Sequence, residues 1–174
     1  MDTAPPPGGL VVQPATTRDI PGIRELVAPY AEQRVLISKD AVTYYEAVPE
    51  LRIAKDAMTG DLLGCGALHV MWEDLAEIRT LAVAAAAVGR GVGGALVERL
   101  LDDARALGVA RVFCLTFETT FFAEHGFAAI DGQAVEPAVY AQLLRSYDEG
   151  VAEFLDLERV KPNTLGNTRM LRIL

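Results

Sequence analysis

The stretch VGRGVGGALVERLL, Val88 to Leu101, limits the possible folds more than any other. Gly89, Gly91 and Gly94 are spaced G-x-G-x-x-G, directly before a run with apolar residues at Leu96, Val97, Leu100, Leu101, Ala104 and Leu107. That spacing predicts a helix, with Gly108 as its C-cap. A glycine cluster at a helix N-terminus suits a phosphate. Free N–H groups and the positive dipole end attract the anion, and missing side chains let it come close. Glycine in a helical turn costs about 1 kcal/mol relative to alanine, so a cluster implies a gain in binding or in packing. A dinucleotide-binding loop follows its strand immediately and is answered by a carboxylate about 20 residues on. Here AAAAV (84–88) intervenes, and the next strand has no carboxylate before Glu118. A P-loop needs Lys-Ser or Lys-Thr after its last glycine, and Gly94 is followed by Ala95. A pyrophosphate cradle and a plain strand-to-helix turn remain.

The order of elements narrows the fold. LVVQ (10–13) reads as a strand, followed by a helix with Asp19 as N-cap and Ile20, Ile23, Leu26, Val27 and Tyr30 on its buried face. LRIAKD (51–56) and LLGCGALHVMW (62–72) flank the turn AMTGD and predict an antiparallel hairpin, with AEIRTLAV (76–83) as the next strand. After the glycine helix come ARVFCLTF as a strand, TTFFAEHGF as a short helix and AAID as a strand. A helix over 138–147 and a closing strand TRMLRIL complete the chain. Antiparallel strands followed by a strand–helix–strand unit predict an α/β fold of the α+β kind, a mixed sheet with helices on both faces. Residues 1–9 are expected to be a flexible tail and 10–174 a single domain.

Composition excludes some partners. Sixteen basic residues against twenty-four acidic ones give a net charge of −8, which repels nucleic acid. The longest apolar run, 81–88, is too short to span a bilayer. Cys65 and Cys114 lie far apart in apolar segments and read as reduced core residues of a cytoplasmic protein. Two lone histidines, His69 and His125, make no metal site.

The segment EIRTLAVAAAAVGRGVGGALVERLL resembles the acetyl-CoA-binding segment of the GNAT N-acetyltransferase superfamily, whose loop reads Q/R-x-x-G-x-G/A after a strand ending in Leu-Ala-Val. VVQPATTRDI and TFFAEHGF resemble that family's opening strand and helix and its A-x-x-F-Y-x-x-x-G-F segment. The signature falls on Val88, Gly91 and Gly93, so valine replaces the usual Gln or Arg. GCGALHV, LAEIRTLAV and VFCLTFETTFFAEHGF further resemble the acetyltransferase domain of N-acetylglutamate synthases, and the whole chain resembles their short actinobacterial form, which lacks the kinase domain.

The resemblance implies a transferase that uses acetyl-CoA and no metal, acting on a small amino acid with no nucleic acid or membrane as partner. A homodimer is left open. Leu81, Ala82 and Val83 would meet the pantetheine arm. Val88, Gly89, Arg90, Gly91, Val92, Gly93 and Gly94 would cradle the pyrophosphate, and Phe121 and Phe122 would pack beside the arm. Glu77 would be the general base, the alternative being a simple pair with Arg79 on the same strand face. Where the longer synthases read Leu-Thr-Thr-Arg this chain has Leu115-Thr116-Phe117-Glu118, so a substrate carboxylate needs another cation. Lys39, Cys65 and Arg79 are assigned to the acceptor side, with Arg79 as the carboxylate clamp. Glutamate leads as acceptor. Glutamine, a protein N-terminus, a lysine or a polyamine are the alternatives, and a non-catalytic acetyl-CoA sensor is a reading of a different class.

Overall fold

A computed structural model of the chain describes residues 9–163 and 166–174. The expected N-terminal tail, Gly9 apart, lies outside the described residues. Along the chain run β1 (Leu10–Pro14), α1 (Ile20–Glu32), α2 (Ala41–Glu46), β2 (Leu51–Asp56), β3 (Leu62–Trp72), β4 (Leu75–Val83) and α3 (Val92–Ala106). Then follow β5 (Arg111–Thr116), α4 (Thr119–Glu124), β6 (Ala128–Ala129), α5 (Pro137–Leu143), α6 (Glu149–Phe154) and β7 (Thr168–Ile173). Among the described residues the strands form a seven-stranded sheet in the order β1-β2-β3-β4-β5-β7-β6. β4 and β5 pair in parallel, while β1/β2, β2/β3, β5/β7 and β6/β7 are antiparallel. This is the expected mixed sheet. The chain divides into two compact units, one comprising the residues up to Leu68 with Thr80–Asp102, the other His69–Arg79 with Asp103–Leu174.

In the first unit, β2 and β3 form the anticipated hairpin, closed where Gly60 at φ +77° lets its N–H reach the Asp56 carbonyl at 2.8 Å. Ile20, Ile23 and Val27 of α1 are buried with Leu51, Ile53, Cys65 and Ala67. A second cluster sets Val92 and Leu96 of α3 against Ala54 and Leu63. Strand and helix meet closely here. A Cβ built at Gly64 would lie 2.9 Å from the Ala82 carbonyl oxygen, 2.9 Å from Val92 Cγ1 and 3.0 Å from Leu96 Cδ1. Asp19 stands at the N-cap position of α1, as expected, but its side chain makes no capping bond to that helix. It is already helical, and its carboxylate reaches back to the Thr16 N–H at 2.8 Å and pairs with Lys55 at 2.9 Å. A 3-10 turn over Thr17–Asp19 begins the helical path, with Thr16 as its own N-cap.

In the second unit, Leu75, Phe113, Leu143, Val151, Phe154 and Leu155 form the core, with the Phe113 and Phe154 rings edge to face at 5.2 Å. β7 returns between β5 and β6, aligning Arg111 with Ile173 and Ala128 with Leu171. The expected helix over 138–147 is shorter, ending at Leu143, and α6 follows as a separate turn. Neither α2 nor α6 shows in the sequence periodicity, because six residues give too few apolar repeats to detect.

The glycines separate two kinds of position. Gly64→Ala forces a methyl group against backbone and helix, so it should destabilise the fold by about 1–3 kcal/mol. Gly22→Ala adds a methyl at ordinary contact distance, 3.4 Å from Leu62 Cδ2, and should be neutral or stabilising by up to about 1 kcal/mol. Thermal unfolding of the two variants checks the contrast.

Candidate functional site

The first unit holds the glycine turn. Beyond β4 the chain makes a 3-10 turn over Ala85–Ala87 and reaches Gly89 at φ +83° and Gly91 at φ +77°, conformations that L side chains rarely adopt. A Cβ added at either glycine would meet nothing within 4 Å, so open space lies before both. Val92, 2% exposed, anchors the start of the fifteen-residue α3, whose first N–H groups have no partner within the helix. Gly93 and Gly94 follow in its first turn, where their backbone stands half-exposed. These residues fit a pyrophosphate. Val88 is exposed. The Arg90 guanidinium pairs with Asp56 at 3.1 Å and so is directed toward β2. Leu81 and Val83 are half-exposed and Ala82 is buried between them. The Val83 carbonyl already accepts from Tyr30 Oη at 2.6 Å.

Thr80 interrupts the extended backbone of β4. It is buried, β-branched and at φ +57°, a conformation that stores on the order of 1–3 kcal/mol of strain. Two partners hold it: Lys39 Nζ donates to its Oγ1 at 3.1 Å, and Cys65 Sγ donates to its carbonyl at 3.4 Å. Lys39 also lines a cavity of about 380 Å³ with Arg24, Glu32, Ser38 and Tyr44. Cys65 has no solvent exposure, and burial pushes its thiol up to about 12 despite a backbone N–H and the nearby Lys39 charge. Cys65, assigned to the acceptor side from the sequence, is sealed in the core of the first unit, and a thiol so protonated is a poor nucleophile. Burial, with the Glu77 charge second, likewise raises the Cys114 thiol.

The second unit holds the ion cluster. Glu77 is 4% exposed. Arg79, two residues on, donates to Glu77 Oε2 from Nε at 2.8 Å and from Nη2 at 2.5 Å. It also grips Asp148, with Nη1 to Oδ2 at 2.9 Å and Nη2 to Oδ1 at 2.7 Å. The expectation of an open carboxylate clamp at Arg79 is therefore revised, since four of the five donors a guanidinium carries already serve two protein carboxylates. Burial disfavours the Arg79 charge, but Glu77 and Asp148 more than offset it and hold the group protonated above its usual range. Asp148 is raised by burial and then lowered further by the Arg79 hydrogen bonds and charge, with His69 and the Val151 N–H adding to the effect, to about 2.

Asp148 is also the N-cap of α6, accepting from the Val151 N–H at 3.1 Å. Two residues on from Asp148, Gly150 backs directly onto the Glu77–Arg79 pair. A Cβ there would fall 2.0 Å from Glu77 Oε2 and 2.5 Å from Arg79 Nη2. His69 Nε2 stands 3.8 Å from Asp148 Oδ2. Sequence reading missed Asp148 and Gly150. Their one local signal is an acidic residue three positions before Val151, the spacing of an N-cap. Phe122 is buried, edge-on to Phe121 at 5.1 Å and to Phe127 at 5.2 Å, and Phe121 stays half-exposed. Among the described residues no group of His, Cys, Asp or Glu is arranged to hold a metal, and no helix is long and apolar enough to cross a membrane.

Comparison with known proteins gives this geometry a context. The family model for the acetyltransferase (GNAT) family matches residues 20–129. An amino-acid acetyltransferase of Mycobacterium tuberculosis is 55% identical over 165 residues, covering 94% of this chain and 94% of its own length. A Mycobacterium tuberculosis structure solved in complex with CoA and NLQ superposes with a TM-score of 0.91 at 55% identity, covering 94% of this chain and 99% of that one. The N-acetylglutamate synthase of Neisseria gonorrhoeae, complexed with coenzyme A and N-acetyl-glutamate, superposes with a TM-score of 0.75 at 26% identity. This chain spans 35% of that synthase.

The Asp148 carboxyl is lowered from 3.8 to about 2 on folding, so its contribution is fully present above about pH 4 and is lost as pH falls toward 2. Asp148→Asn should therefore be less stable than the parent at pH 7, with the gap closing between pH 4 and 2. Urea unfolding across that range checks it, and a gap independent of pH would show that the carboxylate contributes nothing as a charge.

Proposed function

The chain belongs to the acetyltransferase (GNAT) family, and from that premise we propose that it transfers the acetyl group of acetyl-CoA to the α-amine of L-glutamate. The observation that carries this reading is the make-up of β4. One strand bears a buried carboxylate at Glu77 and then leads, past Val83, into the glycine turn that fits a pyrophosphate. We take residues 10–174 as one catalytic domain.

The reaction needs a neutral amine, because an ammonium has no lone pair. An α-ammonium starts near pKa 8, and Glu77 is the carboxylate that accepts its proton, directly or through one water. The amine nitrogen then attacks the thioester carbonyl. The new C–N bond forms as the C–S bond breaks, and coenzyme A leaves as a thiolate, a fair leaving group because a free thiol has a pKa of about 8.5. Gly89, Gly91 and the first turn of α3 supply the backbone donors for the pyrophosphate. Leu81 and Val83 offer half-exposed backbone for the pantetheine arm.

Glutamate as acceptor draws support from two sources. The cavity beside α1 is lined by two cations, Arg24 and Lys39, and Lys39 was assigned to the acceptor side from the sequence. A synthase solved with N-acetyl-glutamate shares the fold. With Arg79 committed to Glu77 and Asp148, the carboxylate-binding role passes to Lys39 in this reading.

Thiol release from acetyl-CoA measured against the twenty amino acids tests the acceptor. Glutamate should give the highest kcat/KM, and preference for glutamine or a cationic amine would overturn that choice. Glu77→Gln should lower kcat by roughly 10²–10⁴ with acetyl-CoA affinity nearly intact, and an unchanged kcat returns Glu77 to a structural pair with Arg79. Gly91→Glu puts a side chain and a negative charge into the space before α3, so acetyl-CoA binding by the folded variant should weaken severely in calorimetry.

A further inference from the structure

Asp148 lies 69 positions from Arg79 in sequence yet makes two of its four carboxylate contacts. We propose that Asp148 is a positioning residue that sets the strength of Glu77 as a base, by taking up the positive charge of Arg79. The proposal rests on Glu77 being the base.

A guanidinium shared with a single carboxylate would neutralise it and weaken its hold on a proton. Arg79 is shared between two. Glu77, Arg79 and Asp148 together carry a net charge of −1, so a full negative charge remains for a proton arriving at Glu77. The hydrogen bonds are divided accordingly: Arg79 Nη1 serves Asp148 alone, Nε serves Glu77 alone, and Nη2 bridges both.

The charged and titratable groups around the pair come from several elements. Arg79 lies on β4 itself. Asp148 caps α6, and the Gly150 backbone of that helix closes over Glu77 Oε2. His69 of β3 faces Asp148 at 3.8 Å, and from β5 the Cys114 thiol senses the Glu77 charge.

Because α6 can dock only where residue 150 lacks a side chain, its N-cap is held in place beside the guanidinium. The Asp148 N–H, in turn, donates to Ser146 Oγ at 3.1 Å. This geometry fixes a second carboxylate on the adjoining edge of the Arg79 guanidinium, which capping alone would not require, since serine or asparagine caps a helix as well.

The test uses protein labelled with ¹³C at glutamate carboxyls, the Glu77 resonance being identified by its loss in Glu77→Gln. Asp148→Asn and Asp148→Ser both keep a side-chain oxygen able to cap α6 and remove the negative charge. In each the Glu77 titration midpoint should fall by about one pH unit or more, as expected when a carboxylate faces an uncompensated guanidinium. kcat should drop roughly ten-fold with KM for acetyl-CoA unchanged. Asp148→Glu should bring the midpoint back toward the parent value. In an Arg79→Gln background, Asp148→Asn should no longer lower it. A midpoint that stays in place in Asp148→Asn and Asp148→Ser, or one that moves while kcat does not, overturns the proposal. The kinetics of Glu77→Gln judge the base separately, so failure of that reading is told apart from failure of this one.

Discussion

The second unit is organised around one guanidinium held between two carboxylates. Arg79 is largely removed from water, and a buried charge is tolerable only when it is paired and hydrogen-bonded. Glu77 and Asp148 supply that pairing, and each then depends on Arg79 in turn. Removing Arg79 leaves the buried Glu77 carboxylate without its partner, a loss that typically costs about 3–5 kcal/mol. The C-terminal segment is tied into the same arrangement. Asp148 caps α6, Gly150 makes room for the ion pair, and Val151 and Phe154 of the same helix fill the core with Leu75 and Phe113.

The first unit works by absence of side chains. Gly64 lets α3 pack closely on β3, while Gly89 and Gly91 take positive φ and leave open space before the helix. Thr80 accepts backbone strain at the point where β4 passes from Glu77 and Arg79 toward Leu81 and Val83, and its hydroxyl and carbonyl are tied to Lys39 and Cys65. Strain held by specific bonds is common at functional sites. Family membership gives the chain acetyl transfer from acetyl-CoA as its chemistry.

The sequence showed the fold clearly where local rules act. The period-two strands, the hairpin at Gly60 and the helix ended by Gly108 at φ +80° follow from patterns a few residues long. The placement of Glu77 on a strand and of the glycines at the start of α3 was legible for the same reason. Asp148 was not, because its partner is distant in sequence and its neighbours RSYDEG look like a polar loop. Arg79 was visible, but its commitment to two carboxylates was not, so it read as an open clamp. Cys65 read as a reduced core residue, and the packing of α1 on β3 seals it at 0% exposure. Asp19 takes the N-cap position of α1, but its carboxylate turns back to Thr16, because a 3-10 turn precedes the helix.

The most direct test of the central claim is a crystal structure of the protein with coenzyme A and N-acetyl-glutamate bound. The account predicts pyrophosphate oxygens within hydrogen-bond reach, about 2.7–3.2 Å, of backbone N–H groups between Gly89 and Gly94. It also predicts the acetylated nitrogen within reach of Glu77 directly or through one water, with Arg79 still bridging Glu77 and Asp148. A pyrophosphate bound elsewhere, or an Arg79 that has left Asp148 to grip the acceptor carboxylate, would contradict it.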